Sequence, residues 1–242
     1  PNYERARESA AAEWQSRLGA LRVSTPNAAI DRMMNVWLLH QTLSSRIRAR
    51  TGFYQPGGAY GFRDQLQDML ALLPSEPGRV RAHLLYAAAR QFPEGDVMHW
   101  WHEPFAGVRT RISDDRLFLP YVAAKYVRFT GDAGVLGEMI RYLESVPIEE
   151  GREDRYCEMR PGDSIGNLHD HCMRAFRSLQ TGAHGLLLMG AGDWNDGMNR
   201  VGAQGKGESV WLSEFAIVCA EEYAAVSPET GDADELIALA AR

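Results

Sequence analysis

Between Gly190 and Asn199 the chain reads Gly-Ala-Gly-Asp-Trp-Asn-Asp-Gly-Met-Asn, which sets two carboxylates, two carboxamides and an indole among glycines. Glycine lets a backbone turn sharply and approach a ligand closely. A plain solvent loop is served by Asn, Asp, Gly, Ser and Pro and has no need of Trp194. The composition suits a sugar: a flat apolar face for a pyranose ring, amides for its hydroxyls, and a carboxyl group for proton transfer. An Asx-rich turn around one buried Trp is the plainer account, and these residues alone do not separate the two.

Other stretches carry similar chemistry. Thr51 to Gly61 sets Phe53, Tyr54 and Tyr60 among four glycines, which is unusual for a mere connector. Phe62-Arg63-Asp64-Gln65-Leu66-Gln67-Asp68 then reads as a helix opening with charged and amide groups. Asp64 and Asp68 share a face at i, i+4, and their like charges call for an Arg, a ligand hydroxyl or a helix N-terminus to compensate them. Trp100-Trp101, flanked by His99 and His102, is the densest aromatic cluster and is expected in a loop from Glu94 to Ser113. A metal there would need a third ligand, Glu103 or Asp96, and no recognised spacing appears, so no metal is expected. Asp114 and Asp115 follow Ser113, a fair N-cap, and acids in a first turn suit the helix dipole. His169 and His171, at i, i+2, cannot converge on one point of a helix and read singly as hydrogen-bonded core histidines.

Bulk properties narrow the function classes. The 242 residues are 45% hydrophobic and 24% charged, an ordinary globular balance. A net charge of -6 argues against nucleic acid as a partner, because phosphate backbones need clustered cations. No apolar run approaches the ~20 residues of a membrane span, and Pro1 to Arg17 is not a signal peptide. Cys157, Cys172 and Cys219 form no framework and read as buried small hydrophobes, so a reducing cytoplasm is the expected compartment. The chain opens at Pro1 without Met and stops inside an Ala/Leu-rich helical pattern, so both ends are expected to be cut from something longer.

The elements that must position these residues read as helices. Residues 1–25 hold a linker helix, with Trp14, Leu18 and Leu21 at helical spacing. Thr25-Pro26 is a helix start, and the Ile30, Met33, Met34, Trp37, Leu38 stripe predicts core packing. Arg46, Arg48 and Arg50 suit that helix's C-terminus. Further helices are expected over Pro77–Phe92, from Ser113 to a stop at Gly131, over Val135–Leu143, Asn167–Gln180 and Ser209–Ala225, and from Asp234 on. Glu149 to Asp163 shows no period. No stretch alternates as a strand should. The reading is all-α: helices joined alternately by short connections and by long, aromatic- and carboxylate-rich loops. If the helices pair as hairpins, those loops gather at one end, as in an α/α-barrel.

Two of these motifs, Gly57-Gly-Ala-Tyr-Gly-Phe-Arg-Asp-Gln-Leu-Gln-Asp68 and Gly190-Ala-Gly-Asp-Trp-Asn-Asp-Gly-Met-Asn-Arg200, resemble the glycoside hydrolase family 94 phosphorylases. Arg90-Gln-Phe-Pro-Glu-Gly-Asp-Val-Met-His-Trp-Trp-His102 and Arg109-Thr-Arg-Ile-Ser-Asp-Asp115 look closer to one branch, the C-terminal region of cyclic β-1,2-glucan synthases and the 1,2-β-oligoglucan phosphorylases. The resemblance spans about Pro26 to Phe215. It implies an (α/α)6 barrel behind an N-terminal β-sandwich, with residues 26–242 as the first, incomplete part of the barrel. It also implies inverting phosphorolysis, in which inorganic phosphate attacks the anomeric carbon and an α-sugar 1-phosphate leaves. Phosphate is already an anion, so one acid and a cationic clamp suffice where a hydrolase needs a second carboxylate.

Carried over, Asp196 is the general acid, Trp194 lies against the sugar and Asp64 binds hydroxyls of the non-reducing-end glucose. Arg63 is the best phosphate ligand, as a planar fork of donors. Trp100, Trp101, Arg111 and Asp115 join the pocket. Asp193 is assigned to the turn that holds Trp194. No cofactor is implied beyond phosphate as co-substrate. The implied partners are a β-glucan and the rest of a parent chain, membrane-attached where that parent is a synthase, or a second copy. The family's later phosphate-site His and Gly/Thr loop have no match after Arg200, so the chain alone is expected to be weakly active or inactive. A hydrolase using Asp64, Asp115 or Asp170 as base, and a non-catalytic glucan-binding remnant, are the alternatives.

Overall fold

A computed structural model describes residues 2–48, 58–103, 106–144 and 146–240. Eight helical stretches frame the fold: α1 (Tyr3–Leu18), α2 (28–47), α3 (Phe62–Leu70), α4 (Pro77–Ala88), α5 (Phe118–Thr130), α6 (Leu168–Arg177), α7 (Val210–Ala224) and α8 (Thr230–Ala240). Most form where helical periodicity and capping residues agree. In α3 the buried Phe62, Gln65, Leu66 and Met69 recur at i, i+3, i+4, i+7. Asn167 caps α6 by accepting from Asp170 N at 2.8 Å, and Ser209 caps α7 by accepting from Leu212 N at 3.0 Å. Gly131 ends α5 at φ 75°, a conformation glycine adopts without steric cost, and its N–H bonds Val127 O.

The core lies where α3, α4, α5, α6 and α7 meet. Leu66, Leu84, Val122, Leu168 and Leu212 are fully buried there, and each such side chain stabilises the fold by about 1.5–3 kcal/mol relative to exposure. Cys157, Cys172 and Cys219 are buried free thiols, as small hydrophobes would be. His169 and His171 are buried and hydrogen-bonded as the sequence suggests: His169 to the Tyr223 hydroxyl and Asp232, His171 to Ile140 O.

The all-α expectation is corrected by eight short strands: β1 (Tyr60–Gly61), β2 (Met98–His102), β3 (Ala106–Thr110), β4 (Met139–Leu143), β5 (Asp154–Glu158), β6 (Pro161–Asn167), β7 (Leu187–Leu188) and β8 (Glu208–Ser209). β1, β2, β3 and β5 form one antiparallel sheet in that order, while β4 pairs β6 and β7 pairs β8. Thus Glu94–Ser113 is largely a hairpin, and Val135–Leu143 is a 3-10 turn followed by a strand. A bulge between Met98 and Trp100 breaks the alternation that would have marked β2. Gly107 must be glycine, since a Cβ there would meet Trp100 O at 2.3 Å.

Two further expectations change in α2. Asn27 rather than Thr25 caps α2, accepting from Ala29 N at 2.9 Å, while Thr25 bonds Asp31. Ile30, Met33, Met34, Trp37 and Leu38 are exposed and not core, because no described element covers that face of α2. No residue of α1 is buried. Arg46 donates to Asp68 at 3.0 Å and so supplies the compensation that the Asp64–Asp68 pair called for. Thr51–Gly57 and Arg50 lie outside the described residues.

Candidate active site

The sheet delivers the site residues to one place. β1 runs directly into α3, whose first turn turns Arg63 inward and leaves Asp64 exposed. β3 continues through Ile112, which bridges both Gly190 and Gly192. Ala191 N donates to Arg111 O, and Ser113 N and Oγ donate to Gly192 O, so the Gly190–Asn199 loop is stitched to the segment that carries Asp114 and Asp115. Ser113 therefore secures this loop through its side chain and does not cap a helix.

Arg63 is the centre of the arrangement. It is 7% exposed, and its Nη1 donates to both oxygens of Asp114 at 3.1 and 3.3 Å and to Asp193 O at 3.3 Å. Its Nη2 donates to both oxygens of Asp196 at 3.1 Å. Burial works against its charge, but Asp114, Asp115 and Asp196 together outweigh burial and hold the guanidinium above its usual value. Asp114 is pushed up to about 7 by burial and by Asp115, against the pull of Arg63. Asp115 accepts from His99 Nδ1 at 2.7 Å. Burial tends to lower the His99 pKa, but its bond to Asp115 and the charge of Asp115 raise it overall.

The loop itself is shaped by its acids and glycines. Asp193 is buried and accepts from Asn195 N at 2.8 Å, from Asn195 Nδ2 and from Ser209 Oγ, which closes a turn. That turn presents Trp194, 44% exposed, with the Arg63 guanidinium 4.9 Å from its ring centroid. Phe118 and Trp211 flank the same indole. Asp196 follows with its carboxylate largely in solvent. Exposed acid, exposed indole and buried guanidinium thus adjoin, an arrangement able to hold a sugar ring beside a proton donor.

The remaining predicted residues fall elsewhere. Trp101 is fully buried, stacked on Tyr60 at 5.9 Å and donating through Nε1 to the Tyr86 hydroxyl at 2.9 Å. A ring without exposed surface touches no ligand, so its placement in the pocket is corrected to a supporting one. Trp100 is half-buried against His102 and Tyr156. Arg111 donates to the carbonyls of Arg152 and Ile148 and so ties down the segment before β5. Asp115 lies in the cluster but is 1% exposed. Among the described residues no three His, Cys, Asp or Glu side chains group as a metal site.

Two residues went unassigned from sequence, Asp114 as a partner of Arg63 and His99 as a partner of Asp115. A signal was present: the acids precede Leu117, Phe118 and Leu119, a run too apolar for a solvent-facing first turn.

Comparison with known proteins identifies the family. Residues 13–240 match the family model of the glycosyl hydrolase 94 superfamily catalytic domain. The chain is 48% identical over 217 residues to the cyclic beta-(1,2)-glucan synthase NdvB of Rhizobium meliloti (strain 1021), covering 88% of this chain and 8% of that protein. It is 30% identical to the solabiose phosphorylase of Paenibacillus borealis, covering 92% of this chain and 26% of that enzyme. It is 24% identical to the N,N'-diacetylchitobiose phosphorylase of Vibrio furnissii, covering 91% and 29% respectively. The chain therefore spans less than a third of each of these relatives. This similarity connects the chain to glucan-related phosphorylases and synthases, whose catalytic domains are (α/α)6 barrels. With residues 13–240 of its 242 matched to that family model, the chain belongs to the glycosyl hydrolase 94 superfamily.

Proposed function

We propose that this chain carries the acid side of an inverting phosphorolysis site for β-1,2-linked glucan, with inorganic phosphate as co-substrate and α-glucose 1-phosphate as product. The observation that carries the reading is the Arg63 bridge, which sets Asp196 beside the exposed Trp194. Trp194 stacks on the sugar at the cleavage point and Asp64 accepts from its hydroxyls. Asp196 gives its proton to the glycosidic oxygen, while phosphate attacks the anomeric carbon from the opposite face.

Arg63 links the two steps. Both Asp196 oxygens accept from its Nη2 in the structure, so phosphate arriving at this guanidinium competes for the same donors. Seated there, dihydrogen phosphate takes over as counter-ion, and the proton it gives up passes to Asp196, which delivers it to the leaving oxygen as the phosphate oxygen bonds the anomeric carbon. The buried Asp114 and Asp115 keep Arg63 in place throughout. The similarity to NdvB, a synthase of cyclic beta-(1,2)-glucan by name, supports the β-1,2 linkage.

Arg63 is the one phosphate ligand of the proposed site, and a single guanidinium is a weak clamp for phosphate, so we expect weak or no phosphorolysis from these 242 residues alone. Incubating the 242-residue chain with β-1,2-glucan, with and without phosphate, tests both statements. Robust phosphate-dependent release of glucose 1-phosphate by the chain alone would sink the second. Phosphate-independent glucose would point to hydrolysis, and binding without turnover to a remnant. In an active parent enzyme, Asp196→Asn should abolish turnover while glucan binding persists. Persistent turnover would remove Asp196 from the acid role.

A further inference from the structure

A cavity of about 910 Å³ opens behind the Gly190–Asn199 loop. Gly190, Ala191 and Asn199 line it, but Arg63, Trp194 and Asp196 do not, so it is distinct from the candidate active site. Its volume is in the range of small-molecule sites. Its other walls come from residues 109–116, 147–153 and 177–180.

Three guanidinium groups line the cavity with no carboxylate partner among the described residues: Arg111, Arg116 and Arg152. Arg116 donates to Ser178 Oγ at 2.9 Å and more distantly to Ile112 O at 3.4 Å, while its Nε is buried with no acceptor. Burial lowers its pKa, with Asp96 and Asp115 acting against that. A part-buried cation whose Nε is enclosed without an acceptor carries a desolvation cost, and a bound anion offsets it. The lining acids leave this need unmet. Glu94 and Asp96 are engaged by Arg109. Glu153 accepts from Asn199 at 2.9 Å, and neither it nor Glu150 pairs with Arg116 or Arg152. Those two carboxylates oppose a bare anion but are good acceptors for sugar hydroxyls, and Gln180 adds an amide.

We propose that this cavity is a second ligand site, which takes a small phosphorylated sugar with its phosphate on Arg116 and Arg152 and its hydroxyls on Glu150, Glu153 and Gln180. The site stands independently of the catalytic assignment. Because one wall is the back of the loop that bears Asp196, occupancy braces that loop from behind.

The test is amide hydrogen exchange of the purified chain with α-glucose 1-phosphate, inorganic phosphate or glucose as separate probes. Saturable slowing across 147–153 and 177–180 with glucose 1-phosphate is expected, with inorganic phosphate weaker and glucose without effect. Arg152→Gln, an exposed position that leaves folding intact, and Arg116→Gln should each weaken binding about tenfold, the worth of one charge-assisted contact. Slowing confined to peptides around Arg63 and Asp196, or unchanged affinity in Arg152→Gln, overturns the site. Inorganic phosphate binding as tightly as the sugar phosphate overturns the sugar assignment.

Discussion

One guanidinium organises the chemistry. Arg63 has carboxylates on both of its terminal nitrogens, two of them buried residues of one Asp-Asp pair within 4.0 Å. Asp114, raised to about 7, holds its proton more tightly in the folded chain than in the unfolded one. Its contribution is therefore complete below the ordinary carboxylate value near 4 and is lost as pH rises through about 7. Urea titrations at about pH 4, 5.5 and 7 should show the native chain losing about 1–3 kcal/mol of stability from this source. Asp114→Asn should remove that part of the slope, and an unchanged slope would show that Asp114 does not titrate in this window.

Loops and strands set the geometry at the next scale. The Asp196 loop depends on Gly190, whose φ is 66° and where an added Cβ would meet Arg111 O at 1.9 Å. Gly185 also has a positive φ, 89°, but open space around it. Gly190→Ala is thus expected to cost about 1–3 kcal/mol more than Gly185→Ala and to weaken glucan binding, since the bridges from Ile112 to Gly190 and Gly192 must part. Thermal melts and glucan titrations of the two variants check this. Equal costs would mean that the backbone contact is not what holds the loop.

At the scale of the whole molecule, a face of α2 that no other described element covers stands out. Ile30, Met33, Met34, Val36, Trp37 and Leu38 are 40–48% exposed along one helix. Apolar surface of this extent favours association. The chain should self-associate as its concentration rises, and the pair Met33→Glu and Trp37→Glu should reduce that in sedimentation velocity. A monomer at every concentration would count against it. Among the described residues no helix is long and apolar enough to cross a membrane.

The sequence by itself determined most of the helices, though not Val135–Leu143, because apolar periodicity and the caps Asn167, Ser209 and Gly131 act over a few residues. The Phe62–Asp68 and Gly190–Asn199 stretches stood out by composition, and it was the family resemblance of those motifs that singled out Arg63, Asp64, Trp194 and Asp196. The strands were not legible: β2 is bulged, β5 and β6 are mostly polar, and β3 pairs with β5 across about fifty positions, as at Gly107 and Cys157. Nor could the sequence show which Trp faces solvent, since Trp100 and Trp101 are equivalent until a sheet gives them sides. Only tertiary structure brought Asp114 and Asp196, fifty-one and 133 positions from Arg63, onto one guanidinium. The reason is physical: a buried cation must find its counter-charges wherever the fold sets them, and spacing along the chain carries no record of that choice.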